Sequence, residues 1–241
     1  MAVAMTQAAV VYQSDFTGAD LASAGLASGA VTAGGLWSLN TTDDQAQFSG
    51  TGGNSRNSLS TTGSGWQSTD GFTLDVTFNQ LAAGTRFSFG IVDAAWSVAA
   101  GADWLNQGRS GAYGIGFSTD GEMAGGGDAL AFNDGVSANG AASSVLSTGQ
   151  GGITLNTLQT LSLTITSTGY SYSLNGAAAT TGLLTFDTSK NFNFIAFGQS
   201  ISMDGSYFSD ITLTAIPEPS TYALLAGLTG LVYVMVRRRR R

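Results

Sequence analysis

LSLTITSTGYSYSLNG, Leu161 to Gly176, is the stretch that decides the fold. Leu161, Leu163 and Ile165 alternate with Ser162 and Thr164, the period of two that sends successive side chains to opposite faces of a β-strand. After Ser167-Thr168-Gly169 the alternation resumes with Tyr170, Tyr172 and Leu174. The two halves therefore predict a hairpin whose apolar sides coincide. Asn175-Gly176 supplies the next tight turn, because both residue types tolerate left-handed backbone. The same period recurs on either side. GFTLDVTF (71–78) puts Phe72, Leu74, Val76 and Phe78 on one face and Thr73, Asp75 and Thr77 on the other. RFSFGI (86–91) repeats it with Phe87, Phe89 and Ile91, and AYGIGF (112–117) with Tyr113, Ile115 and Phe117. In AYGIGF the alternate positions are glycines, which predicts a close-packed or strongly twisted strand. AVVYQSDF (9–16) reads as a first strand, and NFNFIAFG (191–198) and SYFSDITLTAI (206–216) as late ones. No stretch of this body shows a helical period. The expected fold class is all-β, a two-sheet antiparallel sandwich.

Composition narrows the chemistry. The 241 residues suit one domain and carry a formal net charge of −7, with no Cys, no His, 34 Gly and 2 Pro. Apart from five terminal arginines the only bases are Arg56, Arg86, Arg109 and Lys190, so the acidic body is not expected to bind nucleic acid. Without Cys there is no disulfide and no thiolate metal site, and without His a Ser-His-Asp or Cys-His centre is excluded. Glycoside hydrolysis on two carboxylates needs a close pair, yet the body holds a single glutamate, Glu122, and scattered aspartates. We expect no catalytic residues and no cofactor. Asp70-Gly71, Asp120-Gly121, Asp134-Gly135 and Asp204-Gly205 read first as turns. The loop pieces STDGEMAGGGD (118–128) and AFNDGVSANG (131–140) could offer oxygen ligands to calcium, but neither has the spacing of an EF-hand loop.

The remaining basic residues end the chain. Tyr222 to Val236 is an uncharged run containing Tyr222, Ala223, Leu224, Leu225, Gly227, Leu228, Leu231, Val232, Val234 and Val236. With Ser220 and Thr221 it reaches the lower limit for a membrane-spanning helix, roughly 17 residues. Arg237, Arg238, Arg239, Arg240 and Arg241 follow as a stop-transfer cluster that holds this end on the cytoplasmic side. A buried core helix with a basic tail is the alternative, and it gives five consecutive arginines no purpose. Pro217-Glu218-Pro219, the apolar run and the arginines, in that order, resemble a PEP-CTERM sorting signal, also labelled an ice-binding protein C-terminal domain. The resemblance covers the last 25 residues (217–241). It implies a Gram-negative bacterial protein exported by the Sec machinery, anchored in the inner membrane, and recognised and cut at Pro217, Glu218 and Pro219 by an exosortase. The destination it implies is the cell surface or a biofilm exopolysaccharide matrix.

Export needs a signal peptide, and residues 1–8 resemble only the end of one, with Thr6 and Ala8 placed for a cut before Ala9. The expected organisation is thus a signal-peptide remnant (1–8), an exported sandwich (9–216) and a sorting signal with one transmembrane helix (217–241). In the body, SDFTG, GLWSLN, DGFTLDVTF, FSFGIVDA, the 161–176 hairpin and the closing SYFSDITLTAI are similar in order to the laminin-G and legume-lectin-like jelly rolls. In that resemblance the final strand returns beside the first. The segment IVDAAWSVAAGADWLNQG (91–108) carries Asp93, Trp96, Asp103, Trp104 and Asn106. Indoles stack on the C–H faces of sugar rings while Asp and Asn engage the hydroxyls, so these five are the candidate carbohydrate-binding residues. A core-capping role for both indoles is the simpler alternative. Three classes of function stay open: a non-catalytic surface or matrix protein that binds exopolysaccharide, a secreted glycan-active enzyme, and an adhesive or ice-binding surface. The last needs a regular Thr-rich face, and Thr spacing along the chain is irregular.

Overall fold

The alternating segments become strands in the computed structural model, which describes residues 8–32, 35–50, 56–81, 86–94, 111–118, 129–134, 144–148, 153–199 and 204–216, with Gly227, Thr229, Met235 and Arg237. In chain order the strands are β1 (Ala9–Ser14), β2 (Leu26–Thr32), β3 (Gly35–Asn40), β4 (Gln45–Gly50), β5 (Arg56–Thr61), β6 (Gly71–Asn79), β7 (Arg86–Val92) and β8 (Ala112–Ser118). They continue as β9 (Ala129–Asp134), β10 (Ser144–Thr148), β11 (Gln159–Thr166), β12 (Gly169–Leu174), β13 (Thr180–Leu183), β14 (Asn193–Gln199) and β15 (Tyr207–Ile216). One sheet has eight strands in the order β13-β12-β11-β6-β15-β4-β3, with β1 also paired to β15. The other has seven, β10-β9-β8-β7-β14-β5-β2. All pairings between strands are antiparallel.

The hairpin forms in the expected register, Leu161 opposite Leu174, Leu163 opposite Tyr172 and Ile165 opposite Tyr170. Asn175 and Gly176 turn the chain with φ of 52° and 72°, the two left-handed residues such a turn requires. Closure of the sheet places the last strand against the first, Ala215 opposite Ala9. β15 is flanked by β6 on one side. Its other side is shared, by β4 at Tyr207 and Phe208 and by β1 from Ile211 to Ala215.

The core between the sheets is aromatic. Phe72, Leu74, Val76 and Phe78 of β6, Leu163 and Ile165 of β11, and Phe208, Ile211 and Leu213 of β15 meet Phe87, Phe89 and Ile91 of β7 and Phe194 of β14. Trp37, on β3, is fully buried, stacks on Phe208 at 5.4 Å and donates its indole N–H to the Asn57 carbonyl at 3.2 Å. Among the described residues the buried cluster runs from Phe16 to Leu213.

Several strands escape a reading by period. β2, β4, β5, β9, β10 and β13 are rich in Ala, Gly, Ser, Thr and Gln, and their apolar side chains are too small or too few to show an alternation. AFNDGVSANG begins as strand rather than loop, with Phe132 of β9 fully buried and stacked on Tyr170 at 3.8 Å. Asn191 and Phe192 precede β14; Phe192 instead bridges to Trp66. Thr residues irregular along the chain line up across it. Thr181, Ser171, Thr164, Thr73 and Thr214 are successive cross-strand partners on the outer face of the eight-stranded sheet. The Thr73 and Thr164 hydroxyls share a hydrogen bond at 3.1 Å. Gly227, Thr229, Met235 and Arg237 are helical, and among the described residues no helix is long and apolar enough to cross a membrane. The sorting motif and the remaining anchor and arginine positions lie outside the described residues.

Candidate functional site

β7 ends by delivering Asp93 to one end of the sandwich. Its phase follows from the core: Phe87, Phe89 and Ile91 point inward, and Asp93 comes just after the ladder stops at Val92. Among the described residues, Gly111 and Lys190 confine it. Its amide donates to the Gly111 carbonyl at 2.8 Å, and a Cβ at Gly111 would overlap the Asp93 carboxylate, so only glycine allows this approach. On the open side the Lys190 ammonium donates to Oδ2 at 2.6 Å. The carboxylate is 1% exposed while the lysine side chain is 43% exposed. The lysine thus neutralises a charge that burial alone would penalise, while its own charge remains hydrated. That hydrogen bond also holds the Lys190 ammonium above its ordinary pKa.

Lys190 is presented by a short structured loop. Asp187 Oδ1 accepts the Ser189 amide at 3.0 Å and its hydroxyl at 2.6 Å, and the Asp187 carbonyl accepts the Lys190 amide at 3.3 Å. Around the ion pair opens a cleft of about 630 Å³ lined by Ser60, Thr61, Gly63, Ser64, Val92, Ala94, Asn191 and Asn193 besides the pair itself. Thr61 fixes one wall, donating to Asn193 Oδ1 at 3.1 Å and accepting the Phe194 amide at 3.1 Å. Tyr113, Phe186 and Phe192 pack together in the core, with Tyr113 edge-on to Phe186 at 5.0 Å. Burial pushes the Tyr113 phenol up.

Of the five candidate carbohydrate-binding residues, Asp93 lies in this cleft; Trp96, Asp103, Trp104 and Asn106 lie outside the described residues. The sequence reading missed Lys190, Thr61, Ser64, Asn191 and Asn193. One signal was available: Lys190 is the only lysine in the chain. No group of three or more acidic side chains able to hold a metal occurs among the described residues. The loop 119–128 and residues 135–140 lie outside them. Chemically, the cleft offers one buried carboxylate, one ammonium and several hydroxyl and amide groups. It suits neutral, hydroxyl-rich ligands, and among the described residues that line it there is no second carboxylate of the kind glycoside hydrolysis uses.

Two antiparallel sheets closed over an aromatic core, with the last strand beside the first, make this a lectin-like jelly-roll sandwich. It is similar to the metal-free carbohydrate recognition domain of Emp46p (13% identity over 78% of this chain and 87% of that one, TM-score 0.52). It is similar too to a Bacillus subtilis protein of unknown function with a galectin-like fold (11% identity, 85% and 95% covered, TM-score 0.55). A third is the endo-1,3-beta-glucanase of Streptomyces sioyaensis (11% identity, 90% and 99% covered, TM-score 0.53). No protein-family profile and no curated protein matches the sequence.

Proposed function

We propose that this chain is an exported, non-catalytic surface or matrix protein whose sandwich binds polysaccharide at the Asp93–Lys190 cleft and whose C-terminal segment is the sorting signal. The observation that carries the binding half is the buried Asp93 carboxylate held by Lys190 in a cleft of hydroxyl and amide side chains. A sugar hydroxyl both donates and accepts, and the Lys190 ammonium has three donors of which Asp93 takes one. The Emp46p domain is a carbohydrate recognition domain and the Streptomyces protein a glucanase, which supports a glycan ligand on this fold. The sorting half rests on Pro217-Glu218-Pro219, the apolar run and the arginines, read by the exosortase after Sec export to the inner membrane.

The second reading, a glycan-active enzyme, is favoured by the glucanase likeness and disfavoured by the one carboxylate among the described residues that line the cleft. Immobilised exopolysaccharides and a β-1,3-glucan serve as probes. We expect retention of the wild-type chain, loss of retention in Lys190→Met, and no release of reducing sugar. Undiminished binding by Lys190→Met would remove the cleft from the reading, and steady release of reducing ends would make the protein an enzyme.

A further inference from the structure

The strand that leads into the tail is fastened at its last residue. The Ile216 carbonyl accepts the Ser68 hydroxyl at 2.6 Å and the Asp70 amide at 3.3 Å, and Ile216 pairs with Gly71 in the sheet. Ser68 Oγ also accepts the Gly71 amide at 3.1 Å. Asp70 is held in turn, its Oδ1 accepting the Ser167 hydroxyl and its carbonyl the Ser167 amide, both at 2.8 Å. The same connection between β5 and β6 runs back to the cleft. Gln67 Nε2 donates to the Thr188 and Ser189 carbonyls at 3.3 and 2.9 Å, next to Lys190. Trp66 and Phe192 exchange backbone hydrogen bonds at 2.9 and 2.8 Å, and Gly63 and Ser64 line the cleft itself. Ser68 is four positions after Ser64, so chain geometry keeps them within about 14 Å. The cleft and the exit of the tail therefore share one end of the sandwich.

The leash beyond that exit is short. Ile216 and Tyr222, the first residue of the uncharged run, are six residues apart, at most about 21 Å when fully extended. A body of residues 9–216 has a radius of gyration of about 17 Å and is roughly 40 Å across. A leash shorter than the body cannot turn the tethered end away from the surface that holds it. We propose that, while the tail is membrane-bound, the sandwich stands with its Asp93–Lys190 end toward the lipid, so that the bilayer shields the cleft from long glycans until the tail is cut. This rests on the anchor and the cleft as assigned under the proposed function.

A chain without cysteine allows a direct test. Ser64→Cys and Ala94→Cys place a thiol on the exposed rim of the cleft, and Ala178→Cys places one at the opposite end, just after the Asn175-Gly176 turn. Each variant of the 241-residue chain is reconstituted into phosphatidylcholine–phosphatidylglycerol vesicles and compared with the same chain ended at Ile216, which retains the buried cluster from Phe16 to Leu213. A maleimide on a bulky polyethylene glycol stands in for a polymer. It should modify the two rim thiols several-fold more slowly on vesicles than in solution and the Ala178→Cys thiol at an unchanged rate, while N-ethylmaleimide reaches all three equally. Equal protection of both ends, or none at the rim, overturns the proposal. Flotation reports the anchor separately: a chain that does not float removes the anchor and this proposal together. A floating chain with an open rim removes the orientation alone. Because the labelling needs no glycan, its outcome is independent of whether the cleft binds one.

Discussion

The outer faces of the two sheets are built differently. On the eight-stranded sheet, Thr73, Thr77, Ser162, Thr164, Ser171, Ser173, Thr212 and Thr214 are half-buried and Asp75 is exposed, so β6, β11, β12 and β15 show water one side and the core the other. On the seven-stranded sheet, Ser88, Gly90, Val92, Asn133 and Ile195 point away from the core and are nevertheless buried. Val92 and Ile195 stand outside the contiguous core cluster. A strand wetted on one face writes its phase as apolar against polar side chains, whereas on β7 and β8, buried on both faces, the phase shows as Phe87, Phe89, Ile91, Tyr113 and Ile115 against serine and glycine.

The largest effect should come from the core that both sheets share. Phe78 of β6 contacts Phe87 and Phe89 at ring distances of 5.5 and 5.4 Å. Phe78→Ala should cost about 3–5 kcal/mol in urea unfolding of the chain ended at Ile216. A loss below about 1 kcal/mol would mean that β6 is out of phase.

The covered face should be the less forgiving of addition. A Cβ at Gly90 would overlap the Tyr113 carbonyl oxygen, a backbone atom that cannot swing aside. Gly90→Ala should therefore destabilise by about 1–3 kcal/mol and loosen the pairing of β7 with β8, read as faster amide exchange there. Unchanged stability would erase this contrast between the faces.

Alkaline pH probes the edge where β1 joins the eight-stranded sheet. Burial pushes the Tyr12 phenol up to about 12 from its ordinary 10.0, and its hydroxyl donates to the Ala24 carbonyl at 2.9 Å. The folded chain then keeps a proton that the unfolded chain loses. This contribution is fully present below pH 10 and falls away as pH rises toward about 12. Burial raises Tyr113 and Tyr170 in the same sense. Tyr12→Phe should flatten the decline in denaturation midpoint between about pH 10 and 12, and an unaltered pH profile would show that Tyr12 is solvated.

The wet face should respond least. Thr73→Ala removes the hydroxyl pair with Thr164 at partial exposure and should change stability by roughly half a kcal/mol. If it costs more than Leu74→Ala, the assignment of inner and outer faces is reversed.

The sequence by itself determined the phase of the strands that carry large apolar side chains on one face. It gave away β6, β11 and β12 together with the Asn175-Gly176 turn, because period and turn chemistry are local properties of a few residues. It also excluded histidine and cysteine chemistry, since absent side chains need no geometry. Strands such as β2, β5 and β9 stayed hidden because small residues pack without an alternation to read. Only the tertiary structure aligned scattered threonines into cross-strand rows. It alone joined Asp93 to Lys190, 97 residues away in the chain, and set their cleft beside the exit of the tail. The reason is physical: β-sandwich contacts are made by strands distant in sequence, so sheet order and closure, which no local period encodes, decide which polar groups share a site.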